Sequence, residues 1–211
     1  MSGMSAGIDG DKGQTPLLRV AFLVAEDTNL LDLAGPWEVF RDTALDEARS
    51  KRPFCVYTVG PSQVKMSGGL TVRPLCSIWN APPADIIVVP AQSANKDNRT
   101  WLRTASAQAR LTMSVCTGAF RLADAGLLDG LPATTHHAFH DEFAKLHPQV
   151  NLRRTARFID TGAIATAAGL TAGIDLALHV VKRFLGAPVA ERTCRYLEHQ
   201  SRLWMTGGES E

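Results

Sequence analysis

A chain of 211 residues is long enough to bury a full core as one larger domain without disulfide or metal staples. A formal net charge of +1 with 45% hydrophobic residues describes a soluble globular protein and excludes a nucleic-acid binder built on a basic face. Its four cysteines form no CxxC pair and no finger spacing with histidines, so neither a disulfide framework nor a metal site is expected, and a reducing cytoplasm is the expected compartment.

Residues 1–15 are rich in Gly, Ser and Asp and lack the apolar core of a signal peptide, and we read them as a disordered lead. A single domain is expected over residues 16–205, with a short tail over 206–211. No apolar run reaches the length needed to cross a bilayer. Leu17 to Val24 is a dense apolar run suited to a central strand buried on both faces. After the polar loop Glu26 to Asn29, the segment Leu30 to Gly35 leads to Pro36, which suits a helix's first turn, and an amphipathic helix is expected over Trp37 to Ala48. Asp32 is a carboxylate among leucines, which makes it either a helix cap or a group with a shifted pKa.

Phe54 to Val59 reads as a second strand and Ala84 to Val89 as another, with a small hairpin around Gly68 and Gly69 between them. A helix is expected over Thr100 to Ala109. The strand Arg110 to Val115 then leads into a helix over Ala119 to Gly126. Beyond Gly130, the segment Ala133 to His137 reads as a short strand before a helix at Ala138 to Leu146. Phe158 to Ala168 supplies one or two strands about the turn Asp160 to Gly162. A long helix covers Gly169 to Leu185, and a last one runs from Gly186 and Pro188 to about Trp204. The strand and helix alternation predicts an α/β fold, a mostly parallel sheet covered on both faces, whose ligands bind at the carboxyl ends of the strands. The loops after Val24, Val89 and Val115 all fall at that edge.

Cys116 sits where a strand stops and a helix starts, a place that projects a side chain towards the helix's unpaired amides and favours thiolate over thiol. Gly118 lets a substrate approach the backbone there, and Thr117 offers an amide and a hydroxyl. Cys55, Cys76 and Cys194 lie at no such elbow and read as packing residues. His140, His147 and His199 read as surface positions, and Arg153 and Arg154 as a solvated pair.

The blocks Leu31 to Pro36 (LDLAGP), Ser114 to Gly118 (SVCTG), Ala133 to His136 (ATTH) and Gly169 to Leu178 (GLTAGIDLAL) resemble the ThiJ/PfpI superfamily, whose fold is flavodoxin-like. Within it they look most like the isonitrile (isocyanide) hydratases and the amidotransferase-like domain of AraC-type regulators. The resemblance implies Cys116 as nucleophile, Asp32 as the acid that handles protons beside it, and the Thr117 amide as an oxyanion donor. It implies no metal or organic cofactor, a small-molecule substrate and a homodimer, with neither nucleic acid nor membrane as partner. Where the family often has a Pro, Gly, Gly turn whose amide lines the site, this chain has Pro90, Ala91 and Gln92. That loop therefore either turns differently or brings the Gln92 side chain into the pocket. His136 either pairs with the cysteine, as in some branches, or is satisfied at a strand end or dimer contact. The readings that follow are a hydratase of isocyanides, a sensing domain that binds a metabolite without turnover, and a glyoxalase-like or redox-sensing cysteine protein.

Overall fold

The computed structural model describes residues 17–206. The lead expected over 1–15, and the tail beyond residue 206, lie outside the described residues. In chain order the elements are β1 (Leu18–Leu23), α1 (Leu30–Asp42), β2 (Phe54–Val59), β3 (Val64–Lys65), β4 (Thr71–Val72), β5 (Ile86–Val89), α2 (Lys96–Ser106), β6 (Leu111–Val115) and α3 (Gly118–Asp124). There follow β7 (Pro132–Ala133), α4 (His140–Leu146), β8 (Asn151–Leu152), β9 (Phe158–Asp160), β10 (Ile164–Ala167), α5 (Ala172–Leu185), α6 (Ala187–Tyr196) and α7 (Leu203–Thr206).

Six strands form the central sheet in the order β2-β1-β5-β6-β10-β9. All neighbours are parallel except β9, which lies antiparallel on β10. The order reverses direction between β1 and β5, the switch point at which doubly wound sheets open a crevice beyond their carboxyl ends. The inner strands are largely apolar because both faces are covered, β5 wholly so, while β6 and β10 also bury Thr112, Ser114 and Thr166. Successive residues alternate sides: Val20, Phe22, Ile86 and Val88 pack with α1, α5 and α6, while Ala21, Leu23, Ile87 and Val89 pack with α2, α3 and α4.

The first helix begins well before Pro36. The Asn29 side chain accepts from the amides of Leu31 and Asp32, at 3.0 and 3.3 Å, and this cap starts the helix at Leu30. Pro36 consequently lies inside α1, where it removes the helical partner of the Asp32 carbonyl. It is held there by the packing of α1 on α5. A methyl at Gly35 would stand 2.9 Å from Ile174 Cγ1, and one at Gly173 would stand 3.3 Å from Pro36 Cγ. The helix also stops at Asp42 instead of continuing to Ala48. An asparagine cap, Asn95, likewise starts α2 at Lys96. The expected last helix is two, α6 and α7, interrupted where Glu198 takes φ +53°.

Candidate active site

The segment after β6 reverses sharply at Cys116, whose φ of +60° lies in the left-handed region that side chains normally avoid. Such a conformation costs on the order of 1–3 kcal/mol, and the surroundings hold it in place. The Cys116 amide donates to Ala168 O at 2.8 Å, and its carbonyl accepts from Thr135 Oγ1 at 2.8 Å. Gly118 is fixed by the same turn. A Cβ there would lie 2.0 Å from Val89 O and 2.9 Å from Pro90 O. Packing of α3 onto the loop after β5 thus accounts for this glycine, whose open side faces backbone and leaves no approach for a substrate.

Asp32, in the first turn of α1, is wholly buried. Its Oδ2 accepts from the Ala91 amide at 3.3 Å and its Oδ1 from the Leu170 amide at 3.1 Å. The Cys116 thiol lies close enough to this carboxyl to influence its ionisation. Asn29 is the cap, so of the two sequence readings of Asp32 the structure selects the shifted acid. Burial pushes its carboxyl up from 3.8 to about 6, against the pull of the Ala91 amide, the Cys116 thiol and the Leu170 amide.

The same burial acts on the sulfur. Burial, and after it the charge of Asp32, pushes the Cys116 thiol up to about 12, opposed by the nearby Thr117 and Leu170 amides. The thiolate expected from the helix start is therefore corrected: α3 has only seven residues, and desolvation beside a carboxylate outweighs its amides. Two anions do not coexist in so dry a site, so at neutral pH the pair holds one negative charge and one proton.

Leu170 was invisible to sequence reasoning as a site residue because its contribution is a backbone amide. It takes φ +56° just before α5, aiming that amide at the carboxyl, close to the sulfur. Two of the five described non-glycine residues with positive φ are thus Cys116 and Leu170. Strain concentrated at one place is a mark of function.

The family model described as the DJ-1/PfpI family matches residues 18–183. The chain belongs to the DJ-1/PfpI family. It is 33% identical over 190 residues to the isonitrile hydratase of Pseudomonas putida, covering 86% of this chain and 78% of that protein. It is 29% identical over 169 residues to the HTH-type transcriptional regulator GbdR of Pseudomonas aeruginosa. That match covers 78% of this chain but only 46% of the regulator. Among solved structures, a ThiJ/PfpI family protein from Pseudomonas syringae superposes with a TM-score of 0.76 at 24% identity, over 95% of this chain and 82% of that one. DJ-1beta of Drosophila melanogaster gives a TM-score of 0.75 at 15% identity, over 88% and 100%. Both structures share the fold.

Of the residues expected at the site of this DJ-1/PfpI protein, the structure brings together Cys116, Asp32, Thr117 and Ala91. The Ala91 amide is spent on the Asp32 carboxyl. Gln92 goes elsewhere: its Nε2 donates to Leu23 O and Pro90 O, at 2.9 and 3.3 Å, and it lines a cavity between α2 and α3. His136 is half-buried against Gly169, and its Nδ1 accepts from the Ala138 amide at 3.2 Å. Burial, then His137 and His140, lowers its pKa. Among the described residues it makes no hydrogen bond to Cys116 or Asp32. His140 and His147 are corrected from surface to interior, with 7% and 8% exposure. His140 Nε2 lies 3.1 Å from Thr135 O, bracing the threonine that holds the elbow, and His199 is half-buried with Nε2 2.9 Å from Asp175 Oδ1. Cys55, Cys76 and Cys194 are free, and burial raises the pKa of each.

Proposed function

We propose that the chain hydrates isocyanides to N-substituted formamides, with Cys116 as nucleophile and Asp32 as the group that carries protons. The observation that supports this best is the buried Asp32 carboxyl, held in place beside the Cys116 thiol by the Ala91 and Leu170 amides. The 33% identity to an isonitrile hydratase points the same way.

In this reading the Asp32 carboxylate removes the thiol proton as sulfur bonds to the terminal isocyanide carbon. The same proton then passes to that carbon, giving a thioimidate on Cys116 and returning Asp32 to its charged form. Water adds to the thioimidate carbon, losing one proton to Asp32, which hands it on to the nitrogen. The carbon–sulfur bond breaks as the proton of the new hydroxyl passes through Asp32 to the sulfur, and the formamide leaves. The Thr117 and Leu170 amides stabilise sulfur whenever it bears charge. A pKa of about 6 lets one carboxyl give and take protons near neutrality.

Incubation with an aromatic isocyanide, followed by formamide absorbance, tests this. Wild type should form product, and Cys116→Ala and Asp32→Asn should not. A folded wild type that turns over methylglyoxal to lactate but leaves the isocyanide untouched would overturn it. The 29% identity to a transcriptional regulator favours a second reading, a sensing domain, which predicts silence with both compounds.

A further inference from the structure

The carbonyl of Cys116 and the amide of Thr117 belong to one peptide plane, so whatever holds the carbonyl also aims the N–H. That amide lies by the sulfur and favours its charged form. The carbonyl accepts from Thr135 Oγ1 at 2.8 Å and, less closely, from the Ala119 amide at 3.3 Å. At φ +60° the elbow is strained, and its orientation has to be held from outside.

Thr135 is wholly buried and lies between β7 and α4, where no helix or strand ladder fixes its backbone. Among the described residues its carbonyl makes one hydrogen bond, with His140 Nε2 at 3.1 Å. A carbonyl only accepts, so Nε2 carries the hydrogen. His140 is 7% exposed, and among the described residues its ring makes no other hydrogen bond. A leucine would fill similar space with no polar group to satisfy, so the imidazole's own contribution is this donor.

We infer that His140 is a positioning residue: through Thr135 it fixes the Cys116–Thr117 peptide and so aims the Thr117 amide at the sulfur. The relay runs from His140 Nε2–H to Thr135 O, and from Thr135 Oγ1–H to Cys116 O. It orients groups and moves no proton to substrate. Its effect on turnover rests on the hydratase reading, whereas its effect on the amide does not.

His140→Leu removes the donor, and His140→Gln returns one near the Nε2 position. In nitrogen-15 spectra of the full chain, the Thr117 amide should shift in His140→Leu and return towards wild type in His140→Gln. Val56, in the far strand β2, should stay in place in both. With an aromatic isocyanide, His140→Leu should lower kcat about tenfold and change KM less than about twofold, and His140→Gln should recover most of the loss. His140→Leu combined with Thr135→Val should be little worse than Thr135→Val alone, since both break one relay. If His140→Leu does not fold, His140→Met, which also lacks the donor, is read in its place. A folded variant without the donor that keeps the wild-type Thr117 resonance would overturn the inference. So would a His140→Gln no better than that variant, or losses at 140 and 135 that add in full. If wild type leaves the isocyanide untouched, the hydratase reading fails, and the Thr117 resonance still decides the role of His140.

Discussion

Replacing Asp32 by Asn gives a measurable test of the buried carboxyl, separate from catalysis. Raising a carboxyl from 3.8 to about 6 means that the folded state disfavours its ionised form by about 3 kcal/mol. The charged form is the penalised one. The penalty is therefore absent below the unfolded value of 3.8, grows between 3.8 and about 6, and is complete above 6. The side-chain amide of the variant does not titrate, but its Nδ2 would meet the N–H of either Ala91 or Leu170, a cost that does not vary with pH. Other titrations are common to both proteins and cancel in the difference between them. Urea unfolding of wild type and Asp32→Asn at about pH 4 and about pH 7.5 should therefore show the variant gaining about 2 kcal/mol relative to wild type at the higher pH. A difference constant across that range, or one that favours wild type as pH rises, would refute a raised Asp32 pKa and with it the single-charge description of the Cys116 pair.

The kcat/KM for isocyanide hydration should rise through about pH 6 as Asp32 becomes a base and then hold level past neutrality, since the thiol's own ionisation lies near 12. A profile without a limb near pH 6 would count against Asp32 as the proton carrier. Gly118→Ala puts a methyl between two backbone carbonyls that cannot rotate away, so the loss should reach about 3 kcal/mol, the upper part of the overpacking range, in urea denaturation. Thr135→Val removes the hydroxyl bonded to the Cys116 carbonyl. It should cost about 1–3 kcal/mol and lower kcat more than it changes KM. Asp175 is wholly buried; burial opposes its charge, but His199, Ser201 and Arg157 outweigh it and hold its pKa down. Asp175→Asn should destabilise by about 3–5 kcal/mol near neutrality, and the gap should close as acid protonates the wild-type carboxyl.

The sheet was legible because inner strands announce themselves: Leu18–Leu23, Ile86–Val89 and Leu111–Val115 are short, mainly apolar runs rich in β-formers. The convergence of their three following loops was readable for the same reason. Helix starts were less legible. Pro36 suited a first turn so well that Asn29, a residue read as loop, was passed over as the cap. Only the contact of Gly35 and Pro36 with α5 explains a proline tolerated inside α1. The electrostatics of Cys116 were misjudged because a helix end can be read locally, whereas desolvation and a carboxylate from another segment cannot. Leu170 carried no signal at all, since any residue has the amide it contributes. His140 looked like surface because its helix is short and polar, and only the threonine it braces reveals its place.

Asp32 and the Leu170 amide that fixes its Oδ1 are 138 positions apart, and they meet only when the first long helix docks on the last one that borders the sheet. A nascent or partly unfolded chain would carry the elbow cysteine without its acid. Whatever reactivity the pair has is thereby withheld until the two helices have docked, and it is lost with any event that parts them.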